Sequence, residues 1–118
     1  MEIKKENIII DKTFEFALKI IQFSELLESN KKFVVARQLI KSGTSVGANV
    51  REAQNSESKA DFIHKMKIAL KEVEETIYWL EICQASENYP NCIELIDEIK
   101  TIKLIISKIV GTSKRTIN

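Results

Sequence analysis

A chain of 118 residues, 44% hydrophobic and 30% charged, with three glycines and one proline, is long enough to bury one core and too short for two. That composition excludes a disordered chain and a turn-rich all-β fold, and the lack of an apolar run of about 18 residues excludes a membrane span. The formal net charge is +1, yet residues 1–55 carry nine Lys/Arg against seven Asp/Glu, residues 56–98 four against ten, and residues 99–118 five against none; a near-neutral chain so divided can still turn a basic face to a polyanion.

The opening "MEIKKENIII" has three consecutive isoleucines but neither a longer apolar region nor a small-residue cleavage site. It is not a secretory signal, and a cytoplasmic location is expected. A first helix is predicted over about residues 11–28, with Asp11 or Thr13 as its cap and "SNKK" as its break. At about 100° per residue, Phe14, Ala17, Leu18 and Ile21 form one apolar stripe and Phe16, Ile20, Phe23 and Leu27 a second beside it. Together they are wider than one neighbouring helix covers.

The second predicted helix spans about residues 31–55 and runs straight through "SGTSVGANV". Val35, Ala36, Leu39, Ile40, Gly43, Val46, Gly47, Val50 and Ala53 keep the i, i+3, i+4 spacing without a slip. Gly43 and Gly47 each cost roughly 1 kcal/mol of helix propensity relative to alanine. Two small residues four apart clear a shallow groove on one face, so a close approach of a neighbouring helix backbone is expected there.

A third helix is predicted over about residues 58–86, Ser58 and Asp61 forming a variant capping box. Its main stripe is Phe62, Ile63, Met66, Ala69, Leu70, Val73, Ile77 and Leu80. Ile68, Trp79 and Ile82 project from another side and mark a candidate subunit interface. "SENYPN" ends this helix, with Pro90 suited to the first turn of a fourth over about residues 91–110. Cys92, Leu95, Ile96, Ile99, Ile102, Ile106, Ile109 and Val110 form its stripe, and Gly111 is placed to stop it. Four amphipathic helices with short connections predict an all-α fold, an antiparallel up-down-up-down four-helix bundle in a single domain.

Two motifs invite a chemical reading. "GTSVG" matches G-x-S-x-G, and Ser45, Asp61 and His64 follow one another in the order of a hydrolase triad, but a nucleophile elbow needs a strand before its serine. "FVVARQLIKS" has helical spacing instead, Asp61 suits the first turn of a helix, and His64 falls off the main stripe. The same segment lacks the spacing and lysine of a phosphate loop. Cys83 and Cys92 are not a C-x-x-C pair, and with one histidine in the chain they cannot complete a four-ligand zinc site without carboxylates or a second subunit. They are expected to be buried, reduced thiols, and no catalytic residue, metal or cofactor is expected.

Opposite the glycine stripe, Arg37, Lys41, Thr44, Ala48, Arg51 and Asn55 align at i, i+4, i+7, i+11, i+14 and i+18. A basic stripe of this kind follows a phosphate backbone, and Arg37, Lys41 and Arg51 are its candidate nucleic-acid contacts. Glu72, Glu74 and Glu75 on the third helix are the carboxylates that would neutralise it. No aromatic interleaves with the cations in the second helix, so base stacking is not indicated.

The segment "IKSGTSVGANVREAQNSESKADFIHKMKIALKEVEETIYWLEI", residues 40–82, resembles the bacterial family named for open reading frames in intervening sequences of 23S ribosomal RNA. The small, hydroxyl-rich stretch from Ser42 to Asn49, the "NVREAQ" after it, the "DF" opening the third helix and "ALKEVEETIYWLE" carry the likeness. The resemblance implies a four-helix bundle assembled into a homopentamer. A relative similar in fold, the accessory variability protein of diversity-generating retroelements, works with a reverse transcriptase and nucleic acid. Arg51 fits the basic position after the small-residue segment, whereas the near-neutral charge departs from that strongly basic relative. The expectation is a non-enzymatic, self-associating bundle that contacts RNA or DNA, with a scaffold that docks a protein partner as the alternative.

Overall fold

In a computed structural model, which describes residues 5–115 and their side chains from Ile8 onward, the chain forms four helices: α1 Lys5–Ser29, α2 Phe33–Ala53, α3 Lys59–Ala85 and α4 Ile93–Arg115. Among the described residues no strand is formed. Each helix packs on its neighbours in the order α1, α2, α3, α4 and back to α1, an antiparallel up-down-up-down bundle about 50 Å long. No helix among the described residues is long and apolar enough to cross a membrane.

The core is drawn from all four helices. Phe16, Ile20 and Leu27 of α1, Leu39, Val46 and Val50 of α2, Met66 and Leu80 of α3, and Ile99, Ile102 and Ile106 of α4 are fully buried. Of the two apolar stripes on α1, the one carrying Phe16, Ile20, Phe23 and Leu27 turns inward, while Phe14, Leu18 and Ile21 remain 49%, 47% and 36% exposed. The surplus apolar width of α1 therefore lies open on the outside of the bundle.

Helix ends depart from the expected ones in three places. α1 starts at Lys5, because Ile9 is fully buried in the core and extends the helix back through the isoleucine run. Thr13 is accordingly no cap; its buried Oγ1 donates to the Ile9 carbonyl at 2.8 Å inside the helix. Pro90 precedes α4 instead of opening it, and the first amides are met by side chains: Gln84 Oε1 accepts from Cys92 N at 2.8 Å and Asn91 Oδ1 from Ile93 N at 3.0 Å. α4 continues through Gly111 to Arg115. Gly111 has no positive φ, and burial of Ser113 beyond it holds the last turn against the bundle.

The other ends match their sequence signals. Lys31 takes the left-handed conformation, φ 63°, at the α1–α2 break, and the Lys32 amide returns to the Leu27 carbonyl at 2.8 Å. At α3 the Ser58 hydroxyl accepts from Asp61 N at 3.0 Å while Asp61 Oδ2 accepts from Glu57 N at 3.3 Å, a capping box shifted by one residue.

α2 passes through Gly43 and Gly47 as regular helix, and both glycines are buried. A Cβ on Gly43 would stand 2.8 Å from Ile20 Cγ2 and 2.9 Å from Ile20 Cγ1; on Gly47 it would stand 3.2 Å from Thr13 Oγ1 and 3.3 Å from the Thr13 carbonyl oxygen. The glycines thus let α2 lie directly on α1. Among the described residues, a Cβ on Gly111 would meet only Arg115 Nη1, at 4.0 Å.

This contrast predicts opposite signs for one substitution. Gly43→Ala should lower unfolding stability by about 1–2 kcal/mol, overpacking outweighing the propensity gain, and Ile20→Ala should cost less in that background than in the native chain. Gly111→Ala should raise stability by roughly 0.5–1 kcal/mol. Urea denaturation of the four variants measures both effects.

Candidate nucleic-acid interface

The roll of α2 imposed by its glycines turns Arg37, Lys41 and Arg51 outward, where all three are exposed. One turn, about 6 Å, separates Arg37 from Lys41, and about 15 Å of helix separates Lys41 from Arg51. Among the described residues no ion pair engages any of them. The carboxylates expected to neutralise this face are otherwise placed. Glu74 pairs with Lys103 of α4 at 2.8 Å. Glu72 is half-buried, and burial, then the like charge of Glu75, holds its carboxyl above the ordinary range despite the opposing pull of Lys41.

The hydroxyls of the same face are turned onto their own helix. Thr44 Oγ1 donates to the Ile40 carbonyl and Ser45 Oγ to the Lys41 carbonyl at 2.6 Å. Ser45 is half-buried within α2, Asp61 is engaged by Lys65 at 3.4 Å and by the α3 cap, and His64 is exposed on α3. Among the described residues no hydrogen bond joins these three, and the strand–turn–helix context of a nucleophile elbow is lacking. Ser42, on the opposite side, is buried with its hydroxyl 3.0 Å from that of Thr76 on α3.

One contact was not visible in α2 alone. The Arg51 guanidinium lies over the Phe14 ring of α1, 5.0 Å from its centroid, a cation–π arrangement. Thr13, Phe14, Ala17, Thr44, Gly47, Ala48 and Arg51 line a shallow cleft of about 190 Å³ between the two helices. An aromatic does border the basic stripe after all, contributed by the neighbouring helix; the two-stripe pattern of α1 was its only sequence signal.

Of the residues marked for a subunit interface, Ile68, Trp79 and Ile82 are half-buried. Trp79 packs against the core and meets Tyr78 edge to face, centroids 5.5 Å apart, and it is Tyr78 that stands 59% exposed. Cys83 and Cys92 are buried free thiols; Cys92 Sγ donates to the Leu80 carbonyl at 3.2 Å, and its contact with Cys83, together with burial, pushes the Cys83 thiol up. No group of three or more His, Cys, Asp or Glu among the described residues is arranged to hold a metal ion.

Comparison with known proteins agrees with the bundle. The family model of the 23S rRNA-intervening sequence protein matches residues 5–108. The crystal structure of a protein of unknown function from the S23 ribosomal protein family of Bacteroides thetaiotaomicron superposes with a TM-score of 0.87 at 39% sequence identity, over 92% of this chain and 99% of that one. No curated protein matches.

Glu72 gives this face a measurable signature. Its folded-state pKa lies above the unfolded one, so its contribution to stability grows as pH falls through that interval and is lost as pH rises through the folded value. Carboxyl-detected NMR should place its midpoint above the ordinary glutamate value of about 4.3, and Glu72→Gln should flatten the pH dependence of unfolding in that window without loss of stability at pH 7.

Proposed function

The chain belongs to the 23S rRNA-intervening sequence protein family, and on that premise we propose that it is a non-enzymatic, self-associating bundle that contacts the phosphate backbone of RNA or DNA through Arg37, Lys41 and Arg51. The observation that carries this is the state of those cations: three on one exposed helix face, none paired with a carboxylate among the described residues. Cations held in no ion pair among the described residues are free to exchange their counterions for phosphates. Phe14, beneath Arg51, adds an apolar surface next to the last contact.

Self-association is supported by the exposed α1 stripe of Phe14, Leu18 and Ile21, a contiguous apolar face on a chain of this size. Ile68, Trp79 and Ile82, half-buried on α3, are the second candidate contact. A homopentameric ring is the assembly that the family resemblance implies, and repetition of a weak site around a ring multiplies its effect through avidity.

Two measurements test this. In gel shifts over rising salt, the native chain should bind single-stranded RNA with a log–log slope of about −2 per engaged subunit, three phosphates at roughly 0.7 each; the Arg37→Glu, Lys41→Glu, Arg51→Glu triple variant should bind at least about tenfold more weakly. Absence of any shift at low salt, or equal binding by the variant, overturns the nucleic-acid contact. Light scattering should show an oligomer that Leu18→Glu reduces; a native monomer overturns the assembly.

A further inference from the structure

At the end of the bundle away from the α1–α2 break, where the α2–α3 connection meets the last turns of α4, lies a cavity of about 440 Å³. Its size suits a small-molecule ligand. No carboxylate among the described residues lines it. Lys59, the charged residue of the lining, enters no ion pair among the described residues, and the nearby Asp61 carboxylate is held by Lys65 at 3.4 Å and by the Glu57 amide. A second cation stands at the rim: Arg115 Nη2 is 3.4 Å from the hydroxyl of Thr112, another lining residue.

The remaining lining sorts into donors and an apolar wall. Ser56, Ser58 and Thr112 contribute hydroxyls, and Phe62 and Ile109 contribute hydrocarbon. The Ser56 oxygen is shielded from solvent without a hydrogen-bond partner among the described residues, and rotation about χ1 alone re-aims it. The first amides of α3 open beside Lys59, where no intrahelical acceptor exists for them.

Two cations also meet near this end. Farther along the α3–α4 seam the rungs are opposite charges, Lys103 with Glu74 and Lys100 with Glu81. At the α4 terminus the rung is Lys67 with Lys114, and that contact between like groups pushes the Lys67 ammonium below the ordinary lysine range.

We propose that this cavity binds a phosphate monoester, its phosphate held by Lys59, Arg115 and the hydroxyls of Ser58 and Thr112, and its apolar portion, such as a nucleobase, resting on Phe62 and Ile109. A monoester carries close to two negative charges at neutral pH and three acceptor oxygens, which match two cations and a set of hydroxyl donors. The monoester has two possible sources, a free mononucleotide or the 5′ end of a nucleic-acid strand. The site is separate from the outer face of α2 and does not depend on it.

The test is an amide-detected NMR titration of the full chain at fixed ionic strength with adenosine 5′-monophosphate, adenosine, and a short oligoribonucleotide bearing either a 5′-phosphate or a 5′-hydroxyl. Saturable shifts at Ser58, Lys59 and Thr112 are expected with the monophosphate and not with adenosine. Lys59→Gln and Arg115→Gln should each weaken binding by about tenfold, the loss of one hydrogen bond between charged groups, with unchanged helical circular dichroism; Arg37→Glu and Lys41→Glu should leave it intact. Preference for the 5′-phosphorylated over the 5′-hydroxyl strand assigns the strand end as the source, and a response to the mononucleotide alone assigns the free ligand. No shift with any phosphorylated probe, equal shifts with adenosine, or full affinity in Lys59→Gln overturns the proposal.

Discussion

The contact between α2 and α1 at Gly43 and Gly47 determines how the rest of the bundle is arranged. With hydrogen in place of a side chain at both positions, the α2 backbone comes within van der Waals reach of Ile20 and Thr13, and α2 is left with one roll about its own axis. That roll sends Leu39, Val46 and Val50 into the core and Ser42 toward α3. It also leaves Arg37, Lys41 and Arg51 outside and carries Arg51 over the ring of Phe14. Packing and the basic face are two results of one steric condition.

Charges on the four helices are handled differently from seam to seam. α1 and α4 are linked by Lys19 and Glu98 at 2.9 Å, α3 and α4 by Lys103 with Glu74 and Lys100 with Glu81. Exposed pairs of this kind contribute little to stability, commonly under about 1 kcal/mol each. Their larger effect is on the field outside the molecule. They pair charges along α4, while Arg37, Lys41 and Arg51 on α2 enter no ion pair among the described residues, so a net charge of only +1 coexists with a basic helix face.

Much of this was legible in the sequence. The unbroken helical spacing through Gly43 and Gly47 located α2 and showed most of its inward-facing residues, but it placed Ile40 in the stripe, where the structure leaves it 38% exposed, and passed over Ser42, which is buried; the Ser58–Asp61 pair located the start of α3. Features that depend on two elements at once were harder to read. Two adjacent stripes on α1 announced surplus apolar width, but only the packing of α2 decides that Phe16 and Ile20 go inside while Phe14 and Leu18 stay out. The aromatic beside Arg51 was missed because it lies on another helix, more than thirty positions away in the chain. Gly111 and Pro90 misled for a similar reason: local propensity favoured a stop and a start, and tertiary burial of Ser113 and capping of Cys92 N by Gln84 overrode it.

The hydroxyl pair of Ser42 and Thr76 has a consequence beyond its modest energy. Burial of Val, Leu and Ile is favourable without regard to direction and marks no single translational position by itself. The Thr76 hydroxyl lies 3.0 Å from Ser42 Oγ and 2.8 Å from the Glu72 carbonyl, and both hydroxyl groups are buried. A shift of α2 along α3 by one turn, about 5.4 Å, would strand the Ser42 hydroxyl in hydrocarbon, at a penalty of about 1–3 kcal/mol. The pair therefore discriminates between translational registers of the two helices, a distinction that the shape of the greasy surface alone makes weakly.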